Sequence, residues 1–329
     1  MSLPQRIAVV GGGAWGTALA NAAAAAGREV TLWGRDREAT ARMAAARTNE
    51  RYLPGVPLHD GVRPTADLAR LAEAEAALLV TPAQTTREMA AALAPVLPPH
   101  APLVICAKGI ERGTGLFLSD VAGQARPGAP VAILSGPSFA HDVARGLPTA
   151  VTLAAADGAR AAALAAALSG PTLRVYHGAD PRGAEIGGAA KNVLAIACGA
   201  VIGRGLGESA KAALMARGFA ELLRFSAAYG ARPETLMGLS GLGDVVLTCG
   251  SAQSRNFAFG ERLGRGASVA EASGGKLVEG AATAGALVAL ARARGVDMPV
   301  AEAVEAVLSG DIDIAGAMAR LMSRPLKAE

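Results

Sequence analysis

Arg6-Ile7-Ala8-Val9-Val10-Gly11-Gly12-Gly13-Ala14-Trp15-Gly16-Thr17-Ala18-Leu19-Ala20 is the stretch that decides the fold. A short apolar run that reads as a buried strand ends at Val10, and an alanine-rich helical segment opens after Gly16. Between them, Gly11, Gly13 and Gly16 satisfy G-x-G-x-x-G. In a chain with 41 glycines the pattern alone is weak, and the strand before it and helix after it give it meaning. Such glycines permit a tight turn, close approach of a pyrophosphate to backbone, and close helix–strand packing, with the helix N-terminus facing the phosphates. The plain alternative is a glycine-rich turn that binds nothing.

Outward from this stretch, β-branched runs alternate with helical segments. Strands are expected at 6–10, 29–33, 76–80, 103–106, 131–134, 150–153 and 173–177, with helices at 17–26 and 85–97 between them. This is the βαβα rhythm of a parallel, doubly wound sheet. It stops near residue 180. Asp180-Pro181 reads as a helix start, with aspartate as N-cap and proline at the first helical position. Helices are expected to about residue 201, then at 208–229, 281–294 and 300–308, broken by Gly-rich loops at 238–243 and 264–275, with no further strand. The fold class is therefore α/β, a Rossmann-type domain at 1–179 followed by an all-α domain at 180–329.

Composition narrows the function. The chain holds 78 alanines against 11 aromatic residues, so its packing is expected to rest on close helix contacts rather than bulky side chains. The longest apolar stretches, at 193–203 and 281–291, run 11 residues, short of the roughly 20 that cross a bilayer. No membrane span is expected. Cys106, Cys198 and Cys249 form no C-x-x-C and read as reduced thiols of a cytoplasmic protein. His59, His100, His141 and His177 are scattered, so no metal site is expected. The net charge of +4, with no basic block, argues against nucleic acid and fits a small anionic ligand.

Cofactor type is read at the end of the second strand, Leu32-Trp33-Gly34-Arg35-Asp36-Arg37. Asp36 lies 20 residues beyond Gly16, at the spacing of the acid that binds the ribose of NAD, whereas Arg35 reaches a 2′-phosphate. NADP is favoured with NAD permitted, because Arg35 and Arg37 flank the acid and neutralise it. All three also read as solvated loop charges.

Two further loops follow strands, where open α/β sheets place ligands: Cys106-Ala107-Lys108-Gly109-Ile110-Glu111 and Ser135-Gly136-Pro137-Ser138-Phe139-Ala140. Lys108 suits an anionic or carbonyl oxygen, and Ser138 a phosphate. In the helical half, Lys191 stands in an apolar helix, Ala189-Ala190-Lys191-Asn192-Val193-Leu194. An unpartnered buried lysine is costly, so either it faces a cleft or its pKa falls. Both suit an acid–base group, and a snorkelling lysine is the bland alternative. Asn192 reads as a local helix contact. Asp244 closes Leu239-Ser240-Gly241-Leu242-Gly243-Asp244, where it orients a lysine or serves a plain turn. Ser254 caps a helix running to about residue 263, a phosphate-binding terminus armed with Arg255 and Asn256. His141 is expected on the surface, beside Asp142 and Arg145.

Taken in order, the glycine loop, Ala107-Lys108-Gly109-Ile110-Glu111, Ser135 to Ala140, Ala190-Lys191-Asn192, the Leu239–Asp244 stretch and Ser254-Arg255-Asn256 resemble the bacterial NAD(P)-dependent sn-glycerol-3-phosphate dehydrogenases, over nearly the whole chain. The resemblance implies reversible reduction of dihydroxyacetone phosphate to sn-glycerol 3-phosphate for glycerophospholipid synthesis, in a cytoplasmic homodimer. It places the proton donor/acceptor on Lys191. Substrate contacts fall on Lys108, Gly136, Ser138, Lys191, Asp244, Ser254, Arg255 and Asn256. Dinucleotide contacts fall on Trp15, Arg35, Asp36, Lys108, Ala140, Arg255, Leu277 and Glu279, beside Gly11, Gly13 and Gly16. Two positions depart from the family's pattern: Ala14 replaces the serine usual before that tryptophan, and Asp36 stands where many members carry a basic or neutral residue. The rival readings are another two-domain dehydrogenase of the hydroxyacid or 6-phosphogluconate type, and a non-catalytic NAD(P) sensor.

Overall fold

The computed structural model describes residues 3–325 and falls into two compact units, Met1–Lys108 with Leu116–Glu185, and Gly109–Gly115 with Ile186–Glu329. The first unit runs β1 (Arg6–Val10), α1 (Ala14–Ala25), β2 (Glu29–Trp33), α2 (Arg37–Ala46), a hairpin of β3 (Thr48–Asn49) and β4 (Leu53–Pro57), and β5 (Val62–Thr65). It continues through β6 (Ala76–Leu79), α3 (Thr86–Leu93), β7 (Leu103–Ile105), α4 (Leu118–Ala125), β8 (Val131–Ser135), α5 (Ala140–Ala144), β9 (Thr149–Ala155), α6 (Gly158–Leu168) and β10 (Leu173–Gly178).

Eight of these strands form one sheet in the order β10-β9-β8-β7-β6-β1-β2-β5. Its central strands β6, β7 and β8 are buried on both faces, as a helix-covered sheet requires, while edge strand β10 exposes alternate residues. Ile7 and Val9 join one core with α1 and α6, while Ala8 and Val10 join the other with α3 and α4. β1 lies between β2 and β6, so the direction of winding reverses at its C-terminal end, the place where such sheets bind ligands.

Two details differ from the sequence expectation. The sheet is not parallel throughout: β8 pairs antiparallel with β9. The only helix between them, α5, has five residues and rises about 7.5 Å, too little to return the chain along a strand of about 17 Å. Strand β5 is not among the expected strands, and it carries Pro64. Proline is tolerated there because β5 is an edge strand, paired on one side only, with β2.

The second unit is helical among its described residues: α7 (Pro181–Gly203, whose first turn belongs to the first unit), α8 (Gly207–Ala228), α9 (Pro233–Met237), α10 (Asp244–Gly250), α11 (Arg255–Gly264), α12 (Val269–Ser273), α13 (Glu279–Ala293), α14 (Pro299–Ser309) and α15 (Ile314–Met322). Asp180 does cap α7, accepting from the Gly183 N–H at 2.9 Å. The compact units part after Glu185 rather than at residue 180, because the first turn of α7 is held by α4. Arg182 makes a bidentate pair with Asp120 at 2.8 Å, and Glu185 accepts from the Ser119 N–H and hydroxyl at 2.8 and 2.7 Å. Helix α7 is also long and apolar enough, by composition, to cross a membrane, yet 78% of that window is buried within the protein. It is the central helix of this unit.

Alanine and glycine do the packing here. A Cβ at Gly199 or Gly203 would stand 2.0 Å from the carbonyl oxygens of Phe257 or Glu261, and one at Gly260 2.0 Å from that of Ile196. Helices α7 and α11 therefore touch backbone to backbone. Two expected loops are helical as well. Residues 239–243 form a π-helical turn leading into α10, and 264–275 contains α12, which has a Ser268–Glu271 capping box.

One buried acid makes the stability of this unit pH-dependent. Glu221 is 2% exposed and caps α14, accepting from the Val300 and Ala301 N–H groups at 2.8 and 3.3 Å. Burial pushes its carboxyl up to about 7, against the pull of those two hydrogen bonds and of Arg224. The folded state thus holds this proton more tightly than the unfolded chain, where the value is 4.5. The stabilisation is complete below that lower value and is lost as pH rises through the upper one. Glu221→Gln is expected to flatten the stability profile between about pH 5 and 8 by on the order of 3 kcal/mol, measured by urea unfolding at several pH values. Parallel profiles for the two proteins would exclude Glu221 as the titrating group.

Candidate active site

In the first unit the glycine loop sits at the sheet's switch point. Gly11 has φ +125°, and a Cβ on it would meet the backbone of Val80, at the end of β6, at 2.9 Å. A Cβ on Gly16 would collide with the Gly11 carbonyl oxygen at 1.8 Å. These two glycines allow the loop to fold on itself against the strands. Gly13 differs, since a Cβ there would meet nothing within 4 Å. It is the N-cap of α1 and no side chain caps that helix, so with alanine at 14 the first-turn N–H groups are left for a ligand. Trp15 packs against the core beneath.

Past the ends of β7 and β8, Lys108 and Ser138 converge on one carbonyl oxygen. The Lys108 ammonium donates to Gly136 O at 3.3 Å and the Ser138 hydroxyl at 3.1 Å. Gly136 has φ +144°, and a Cβ on it would strike Val151 Cα at 2.9 Å. Ala140 is the first residue of α5, and His141 is exposed on the same helix, as expected.

At the end of β2, Arg35 and Asp36 are both exposed. Asp36 is the N-cap of α2, accepting from the Ala39 N–H at 2.9 Å. That hydrogen bond, with Arg42 and Arg51 nearby, holds its carboxyl below the ordinary value. The cations acting on the acid are Arg42 and Arg51, the latter at 3.9 Å, rather than the adjacent Arg35 or Arg37.

In the second unit every residue of α7 from 186 to 199 is buried, and Lys191 is 6% exposed. The lysine is neither snorkelling nor unpartnered. Its ammonium is ion-paired with Asp244, itself wholly buried, and donates to the Thr248 hydroxyl at 2.7 Å. Gly187, one turn earlier on α7, makes this meeting possible. A Cβ there would lie 2.4 Å from Ser240 O, so only glycine lets the π-helical turn rest on α7 and bring Asp244 to Lys191. Thr248 is not among the residues expected from the sequence. It lies one helical turn after Asp244, and its contact with Lys191 gives it a role.

Asn192 is not a local contact either. Its side-chain oxygen accepts from Asn256 Nδ2 at 2.9 Å, and Asn256 Oδ1 accepts from the Gly280 N–H at 2.9 Å. The pair ties α7 to the start of α11 and to the start of α13. Ser254 caps α11, accepting from the Phe257 N–H at 3.2 Å, and Arg255 at its first position is exposed. Leu277 is 45% exposed and Glu279 opens α13, so both flank the strand of backbone that Asn256 fixes. Within this unit Lys191 is thus joined to Asp244, and its chain neighbour Asn192 to Asn256 beside the Ser254–Arg255 helix start. The thiol of Cys249, next to Thr248, is held well above its ordinary value by its hydrogen bond with Cys198 and by burial, which makes it a poor nucleophile.

Such an arrangement, a buried ammonium held by a carboxylate and a hydroxyl beside a basic helix start, can give a proton to a developing alkoxide and hold a phosphate. Residues 6–161 match the family model described as NAD-dependent glycerol-3-phosphate dehydrogenase N-terminus, and residues 180–319 match the corresponding C-terminus. A glycerol-3-phosphate dehydrogenase [NAD(P)+] of Methylobacterium radiotolerans is 64% identical, over 100% of this chain and 99% of that protein. One of Azorhizobium caulinodans is 63% identical over the full length of both. The crystal structure of glycerol-3-phosphate dehydrogenase from Coxiella burnetii, 37% identical, superposes with a TM-score of 0.92 over 97% of this chain and 99% of that one.

Proposed function

The chain belongs to the NAD-dependent glycerol-3-phosphate dehydrogenase family, and on that premise we propose how its residues divide the reaction. It is an NAD(P)-dependent oxidoreductase interconverting dihydroxyacetone phosphate and sn-glycerol 3-phosphate, the backbone of glycerophospholipids. The first unit fits a dinucleotide, because the open face of Gly13 and the uncapped start of α1 form a cradle that any side chain would narrow. Gly11, Gly13, Trp15, Gly16, Arg35, Asp36 and Ala140 are its contacts in that unit, with Lys108 serving cofactor and substrate. When bound, the reduced cofactor supplies a hydride to the ketone carbon.

The remaining work falls to the chain's own residues. Lys108, Gly136 and Ser138 are the substrate contacts of the first unit. In the second, Arg255 grips the phosphate at the α11 N-terminus, with Ser254 and Asn256 shaping the terminus and Leu277 and Glu279 completing the cofactor contacts. Lys191 holds a proton that it gives to the C2 oxygen as charge develops there, and Asp244 keeps the ammonium charged and aimed. The observation that carries this reading is the buried Lys191–Asp244–Thr248 cluster.

We place the enzyme in the cytoplasm as a homodimer, readings supported by the family resemblance and, for the compartment, by three buried free thiols. The test is NADPH or NADH oxidation with dihydroxyacetone phosphate, compared with non-phosphorylated ketones such as dihydroxyacetone. Turnover is expected with the phosphate ester and at least about 100-fold less without it, since the charge-assisted bonds of Arg255 would go unmade. Equal rates on both ketones would remove the phosphate grip.

A further inference from the structure

The geometry points to Arg51, at the turn of the β3–β4 hairpin, as a residue that recognises the 2′-phosphate of NADP and sets the preference between the two cofactors. This inference rests on the dinucleotide reading of the first unit. The hairpin is fastened to the phosphate-binding loop. Asn49, 5% exposed, donates from Nδ2 to the Gly12 carbonyl oxygen at 3.0 Å and to the Thr17 hydroxyl at 2.7 Å. Thr17 in turn donates to the Gly13 carbonyl oxygen at 2.9 Å. At the far end of the hairpin, Asn21 of α1 donates to Pro57 O at 2.9 Å. A surface hairpin anchored this way has a fixed position relative to the glycine loop, and hence to any dinucleotide bound there.

Its turn carries Arg51 to the end of β2. The guanidinium lies 3.9 Å from Asp36 Oδ2 and 5.1 Å from the centre of the Tyr52 ring. This is where the adenosine ribose of a dinucleotide sits in folds of this kind. In NAD-selective versions a carboxylate at that place accepts a hydrogen bond from the ribose 2′-hydroxyl. Here Asp36 is otherwise engaged, with Oδ1 on the Ala39 N–H and Oδ2 toward Arg51. Glu38, the next acid along, is paired with Arg42 at 3.5 Å. Arg51 therefore joins Arg42 in offsetting the charge of Asp36 and presents a planar fork of donors, which suits a phosphate dianion better than a hydroxyl. Arg35, exposed just past Gly34, supplies a second guanidinium at the same strand end.

The test is binding rather than turnover. NADPH and NADH are titrated by nicotinamide fluorescence into wild type, Arg51→Ala and Arg51→Lys, and 2′,5′-ADP and 5′-AMP are used as displacing probes. Both variants are at an exposed side chain, so folding is checked only by thermal unfolding. Arg51→Ala is expected to lower the ratio of NADPH to NADH affinity at least fivefold and to weaken 2′,5′-ADP while sparing 5′-AMP, with Arg51→Lys intermediate. A ratio that changes less than fivefold overturns the role of Arg51. Wild type binding neither nucleotide would instead overturn the dinucleotide reading beneath it, so the two failures are distinct.

Discussion

Lys191→Ala is expected to lower turnover by about 10²- to 10⁴-fold, the range that positioned acid–base groups supply, while leaving cofactor binding by the first unit intact. The expected loss comes from the proton the C2 oxygen no longer receives. Lys191→Arg should be similarly inactive, because a guanidinium keeps its proton at any pH an enzyme meets. The alanine variant has a structural side effect to separate out. Asp244 is fully buried, and removing its cation leaves an uncompensated charge, a change that typically costs about 3–5 kcal/mol. The double variant Lys191→Ala/Asp244→Asn removes both charges and should recover much of that stability without recovering turnover. Steady-state rates, nucleotide titration and thermal unfolding on the three proteins separate the two effects. Activity within tenfold of wild type in either Lys191 variant would take the lysine out of the proton-donor role.

Gly260→Ala should be among the most destabilising single methyls in the second unit, with Gly199, Gly203 and Gly241, at about 3 kcal/mol. Its Cβ would lie 2.0 Å from the oxygen and 2.8 Å from the carbon of the Ile196 carbonyl, and backbone cannot swing aside as a side chain can. The two helices must part. Because Lys191 and Asn192 ride on α7 while Arg255 and Asn256 open α11, the variant should also raise the KM for dihydroxyacetone phosphate by tenfold or more. Gly285→Ala is the control. It is exposed on α13, a Cβ there meets nothing within 4 Å, and the gain in helix propensity should stabilise by about 0.5–1 kcal/mol. Urea unfolding of both variants checks the contrast, and equal midpoints would show that the α7–α11 contact yields more easily than its geometry says.

Much of the first unit was legible because its signals are local. The alternation of β-branched residues, the glycine pattern after Val10 and the Asp180-Pro181 helix start each act within a turn or two of chain, where sterics and backbone hydrogen bonding decide. The hairpin that carries Arg51 was not legible. Its strands are two and five residues long, and what holds them is Asn49 reaching 37 residues back to Gly12. The antiparallel turn of β9 likewise depended on the length of a helix that composition does not fix.

The site divides the same way. Sequence by itself determined that a lysine lies in an apolar helix, that Ser254 starts another, and that glycines crowd the stretch before Asp244, since these follow from residue type and spacing. It left Lys191 with three fates: facing a cleft, losing its charge or snorkelling to solvent. The tertiary structure supplied a different one, a buried pair, by bringing a carboxylate 53 residues away to its ammonium and a threonine 57 residues away to its side. The same holds for Asn192, whose partner Asn256 lies 64 residues on. The physical reason is that burying a charge is unfavourable until a counter-charge and hydrogen bonds arrive. Their arrival depends on how closely two helices and a turn can approach, and here that approach is set by Gly187, Gly199 and Gly260, which contribute no side chain at all.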